Sequence, residues 1–118
     1  MKLKTTELQG PALDWAVAQA EGNVRLQYDN KEGLIINNIL GWFHYRPSVA
    51  WEQGGPIIER ERISIEDCQD GAGLYWEATR IEPPAVSEAR GPTPLIAAMR
   101  CYVASKLGDE VEVPDEIL

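Results

Sequence analysis

The stretch Leu-Ile-Ala-Ala-Met-Arg-Cys-Tyr-Val-Ala-Ser-Lys-Leu at 95–107 is apolar or small on nearly every side, with Arg100 and Lys106 as its only charges. Thr93 before it is a natural N-cap, Pro94 fits the first helical position, and Gly108 suits the residue just past a helix end. A helix without a polar face cannot lie on a surface, so it must run through the middle of whatever this chain forms. Ala97, Ala98, Cys101, Ala104 and Ser105 make a flat side that admits a sheet or a second subunit at close range. Leu95, Met99, Tyr102 and Val103 make the bulky side.

The rest of the 118 residues must surround that helix. A second, shorter helix is predicted from Pro11 to Gly22, with Leu13, Val17 and Ala20 at helical spacing and Gly22 as a left-handed cap. Between the two helices the composition turns to strand formers. Asn23 to Tyr28 and Leu34 to Leu40 flank the polar turn Asp29-Asn30-Lys31-Glu32-Gly33, and Arg62 to Asp67 and Leu74 to Ile81 flank a turn around Asp70-Gly71. The expected fold is α+β, an antiparallel sheet of two hairpins packed against two helices, the C-terminal one central. Glu82 to Arg90 reads as a linker, because Pro83-Pro84 cannot donate to a ladder. Residues 1–108 form the expected single domain, and 109–118, with five of the nineteen acidic residues, an acidic C-terminal tail.

Composition excludes several classes. At 13.2 kDa the chain can bury roughly two thirds of its extended surface, enough for a core without metals or disulfides. A net charge of -8 argues against holding duplex DNA or an anionic membrane by bulk electrostatics. No apolar run is long enough to span a bilayer or serve as a secretory signal, so a cytoplasmic location is expected. Cys68 and Cys101 form no CxxC, and His44 is the only histidine, so a Cys/His zinc site is not available within one chain, no cofactor is implied, and two buried free thiols are expected.

Chemistry concentrates between residues 41 and 62. Trp42, Phe43, Tyr45 and Trp51, four of the nine aromatics, stand with His44 in ten residues beside Gly54-Gly55-Pro56. Such a segment reads as an ordered loop. Its rings either stack a ligand while Gly54 and Gly55 admit the ligand to backbone N–H groups, or they complete the core. In Glu59-Arg60-Glu61-Arg62, read as extended, the carboxylates share a face, an alternation that resembles an ion-pair ladder more than an acid/base pair. Arg60 and Arg100 are candidate forks for phosphate or carboxylate, and Thr93 at a helix start offers a weak generic anion site. No GxxxxGK[ST], GxSxG or HExxH pattern occurs, and enzymatic use is not expected.

Three stretches resemble the NinX-like family of small phage and prophage proteins: Ala12 to Ala18, Pro47 to Glu61, and Gly91 to Val111. The family usually has Thr-Asp where this chain has Val49-Ala50. The resemblance implies an accessory protein acting inside a bacterial host, by occupancy rather than turnover. Combined with the residues above, it leads to the expectation of a binding protein, in which Trp42, Tyr45 or Trp51 stacks a ring and Arg60, Arg100, Gly54, Gly55 and Thr93 receive phosphate. The ligand class would be a small nucleotide-type anion such as a host immune signal, in a pocket suited to a homo-oligomer. The alternative is an acidic inhibitor or regulator that binds a host protein through its tail and aromatic loop.

Overall fold

In the computed structural model, residues 1–23 and 25–118 are described; Val24, within the strand expected over Asn23 to Tyr28, lies outside them. The helix at 95–107 is there as α3 (Pro94–Leu107), capped by Thr93, whose Oγ1 accepts the Ile96 N–H at 3.1 Å. Leu95, Ala97, Ala98, Met99, Cys101, Tyr102 and Val103 are all buried. Its flat side meets a sheet. Strands β5 (Ser64–Asp70), β6 (Gly73–Glu82) and β7 (Ala85–Gly91) form an antiparallel meander beneath it, with Ala78 and Ala89 buried at paired positions. A Cβ added at Gly91 would stand 2.7 Å from the Ala97 nitrogen, so helix and strand approach at a distance only small residues permit.

Helix α1 (Gly10–Glu21) ends at Gly22 in the left-handed region, and its Leu13, Ala16 and Val17 pack into the same core as α3. It also meets a second sheet of β2 (Leu26–Asp29), β3 (Gly33–Asn38) and β4 (Gly41–His44). The Asp29 carboxylate accepts the Lys31 and Glu32 N–H groups, and Gly33 takes a φ of 80°, closing the predicted turn. The fold is α+β as expected, but its sheets are arranged differently. Each predicted hairpin gains a third strand and the two belong to separate sheets, rather than forming one.

Three segments depart from the sequence reading. The Glu82–Arg90 linker is mostly β7: Pro83 and Pro84 occupy the turn itself, so neither is asked to donate to the ladder. The expected acidic tail crosses its boundary at Gly108 as β8 (Glu110–Glu112), which pairs antiparallel with β1 (Lys2–Lys4). Its acids remain exposed, while Val111 and Val113 enter the core.

The largest departure is helix α2 (Trp51–Glu61), which runs through Gly54, Gly55 and Pro56 where a loop was expected. Intrinsic propensity opposes it, at about 1 kcal/mol per glycine and about 3 for an interior proline. Tertiary contacts prevail. Ile57 is buried, Gly54 packs on Pro47 and Leu95, and the Gln53 side chain bonds both the His44 carbonyl (2.6 Å) and the Arg46 N–H (2.7 Å). Ala50 at the N-cap supplies no side-chain acceptor. The helix stops at Arg62, whose φ of 54° is the one non-glycine positive φ among the described residues. Arg62→Gly is expected to stabilise the fold by about 0.5–1 kcal/mol through relief of that conformation, measurable as a higher denaturation midpoint at unchanged m.

Candidate functional site

The helical conformation of 51–61 redistributes the residues singled out in the sequence. Trp42 on β4 and Trp51 at the start of α2 are 51% and 53% exposed, so neither completes the core. Gly54 is buried, its N–H donates to the Ala50 carbonyl, and Gly55 follows it in the helix against Trp51. These glycines serve helix packing, not the open approach of a ligand. The Arg60 guanidinium is engaged by Glu21 through two bonds (3.1 and 2.6 Å) and by Glu61 through a third (2.8 Å). Thr93 is occupied in capping α3. Arg100 donates to the carbonyls of Leu8 (2.8 Å) and Arg90 (2.9 Å), tying the chain before α1 to the end of β7.

These residues do not converge on one site. Arg100 lines a cavity of about 500 Å³ whose wall also carries Tyr75, Glu77, Glu88 and Arg90. There Arg90 lies over the Tyr75 ring at 4.6 Å and pairs with Glu77 at 3.4 Å, so that cation is neutralised and Glu88 opposes an anion. Arg60 lines a separate polar cavity with Glu61 and Arg80. Glu61 receives Arg60, Arg80 (2.9 Å) and Lys106 (3.8 Å), and the Arg60 bond first among them holds its carboxyl below the usual range. Because the segment is helical, Glu59 and Glu61 stand about 200° apart around the axis and share no face, which removes the paired-carboxylate geometry.

Tyr45 belongs to a third hollow, of about 290 Å³, between the start of α1, the start of β3 and the end of β4. Asp14 on α1 lines it and is only 5% exposed. Its carboxylate accepts the Ser48 N–H at 2.8 Å, while the buried Ser48 hydroxyl stands beside it outside hydrogen-bonding geometry. Burial pushes the Asp14 carboxyl up to about 6, with the Ser48 contacts and the Arg46 charge opposing the shift. Arg46 lines the same hollow and, among the described residues, enters no ion pair. His44 completes the wall, with Nε2 3.0 Å from a Glu32 oxygen and its ring edge-on to Trp42 at 5.2 Å. Burial also raises the Tyr45 hydroxyl, so it stays protonated as a donor.

Among the described residues no three His, Cys, Asp or Glu side chains group as metal ligands, and no helix is long and apolar enough to cross a membrane. Both cysteines are free; Cys101 is buried and pushed up to about 11, whereas Cys68, expected to be buried, is only partly so.

Residues 4–106 match the family model for NinX of bacteriophage P22. The chain belongs to the phage P22 NinX family. A crystal structure of a phage protein from Bacillus cereus ATCC 14579 is similar in fold, with a TM-score of 0.55 over 84% of this chain and 89% of that one at 12% identity. No curated protein matches the sequence.

In this NinX-family chain the sequence reading passed over Asp14, Arg46 and Ser48 as site residues. One signal was present for Asp14: it interrupts the apolar run Ala12-Leu13 and Ala16-Val17-Ala18 on a helix whose buried face should exclude a carboxylate. Arg46 and Ser48 carried no such mark, since only the turn before α2 brings them beside Asp14.

Proposed function

We propose that this member of a phage accessory family acts by binding, without turnover, and holds a small nucleotide-type anion in the hollow between α1 and the end of β4. The observation that carries the reading is Asp14, a buried carboxylate with one protein donor and an unsatisfied hydroxyl next to it. Buried carboxylates ordinarily carry more than one donor, and a ligand hydroxyl pair, as a ribose diol supplies, would reach the Asp14 carboxylate from the hollow that it lines. Arg46 supplies an uncommitted guanidinium for a phosphate, and the His44 and Tyr45 rings in the wall offer a ring face. Base, sugar and phosphate would each find a partner along one short segment. In this reading the protein sequesters a nucleotide, such as a host immune signal, inside the infected bacterium.

A panel of linear and cyclic nucleotides, read by melting shifts, tests this. At about 100 times its Kd a true ligand adds about 2.7 kcal/mol, and Arg46→Ala is expected to remove that gain while leaving the unliganded melting temperature in place. A flat panel would overturn the reading.

One observation supports the alternative. Asp109, Glu110, Glu112, Asp115 and Glu116 are all exposed on and around β8, an acidic surface suited to a basic host protein. Deleting this segment would also remove Val111 and Val113 from the core, so replacing Glu110, Glu112, Asp115 and Glu116 by their amides is the cleaner experiment. Loss of a specific host partner from pull-downs on that change would favour the inhibitor reading.

A further inference from the structure

From Gly33 to Phe43 the chain carries no charged side chain, eleven consecutive residues in a protein of net charge -8. These residues build β3, β4 and the turn between them. At that turn Ile39 and Leu40 are 98% and 93% exposed, in positions where Gly, Asn or Asp would ordinarily face water. The side-chain oxygen of Asn38 accepts the Leu40 N–H at 2.8 Å and closes the turn. Trp42 and Phe43, next along β4, are also exposed. Depletion of charge with enrichment of aromatic and large aliphatic residues marks the centre of a protein interface.

We infer that this strand tip is a self-association surface, on which β4 of a second copy pairs antiparallel with β4 about a two-fold axis. The strand order leaves β2 and β4 at the two edges of the sheet. The two edges differ. Strand β2 carries Asp29 and follows Arg25, whereas Gly41-Trp42-Phe43 on β4 bears neither charge nor proline, the features that ordinarily block edge pairing. Gln53 covers the β4 edge only at the His44 carbonyl, and among the described residues no strand covers Gly41 to Phe43.

A second copy is the occupant because a two-fold axis at β4 sets uncharged surface against the same uncharged surface, so two chains of like charge meet where neither carries any. Ile39, Leu40, Trp42 and Phe43 together present about 500 Å² of apolar surface, against about 800 Å² per partner in a standard interface, and the paired strand backbones with Asn37 and Asn38 extend it.

Light scattering after size exclusion, run on the full chain across a concentration series, tests the inference. Wild type is expected at twice the 13.2 kDa chain mass, and the double variant Ile39→Asp, Leu40→Asp at half the wild-type value with an unchanged circular dichroism spectrum. Leu74→Asp, at another largely exposed leucine near the start of β6, is the control and should leave the mass unaltered. A monomeric wild type, a double variant that keeps its partner, or a control that loses it would each overturn the proposal.

Discussion

Replacing Asp14 by asparagine is expected to make the protein more stable at pH 7 and, on the proposed reading, less able to hold a nucleotide. The carboxyl titrates at about 6 in the fold against 3.8 in the unfolded chain. A group whose folded value is raised adds stability that is complete below the unfolded value and disappears as pH climbs through the folded one. The wild type should therefore lose about 3 kcal/mol between roughly pH 4 and pH 6, from a shift of about two units at 1.36 kcal/mol each. Asparagine keeps an acceptor for the Ser48 N–H, can donate to the Ser48 hydroxyl, and has no charge to desolvate. Urea melts of both proteins across that range should show the wild-type slope flattened in the variant, with a gain of about 2–3 kcal/mol at neutral pH. A more stable variant with at least tenfold weaker nucleotide binding would identify Asp14 as a ligand-holding group; parallel pH profiles would remove the basis for that assignment.

The adjacent glycines of α2 should respond in opposite directions to the same substitution. A Cβ at Gly54 would lie 2.5 Å from the Pro47 carbonyl oxygen and 2.6 Å from Leu95 Cδ2, and neither neighbour can yield easily, one being backbone and the other buried. Gly54→Ala is expected to destabilise by about 3 kcal/mol or more, overwhelming the gain of about 1 kcal/mol from helix propensity. At Gly55 the same methyl would meet only the Trp51 ring at 3.9 Å, an ordinary contact. Gly55→Ala should accordingly stabilise by about 0.5–1 kcal/mol. Denaturant midpoints for the pair distinguish a helix held by close packing from a loop, where the two changes would have similar effects.

Residues 91–108 were legible because cap, proline, apolar run and terminal glycine all point to the same structure, and the two predicted turns were legible for the same reason. In Trp51-Glu52-Gln53-Gly54-Gly55-Pro56 the local signals say loop, and they are overruled by contacts to Pro47, Leu95 and His44, none of which adjoins the segment in sequence. The candidate site fared likewise. Tyr45 and Trp42 were visible as aromatics in an odd context; Tyr45 lines a hollow, while Trp42 is outside its wall, edge-on to His44. Arg60, Gly54 and Thr93 looked equally available, yet each is committed to an ion pair, a close packing contact or a cap that only folding creates.

Sequence alone determined the α+β class, the buried central helix, the two hairpin turns and the membership of a phage family, because each depends on short-range chemistry or on whole-segment pattern. Tertiary structure decided which polar groups remain uncommitted. Asp14 and Ser48 are 34 positions apart, and their meeting, like the satisfaction of Arg60 by Glu21, depends on long-range packing that no local pattern encodes.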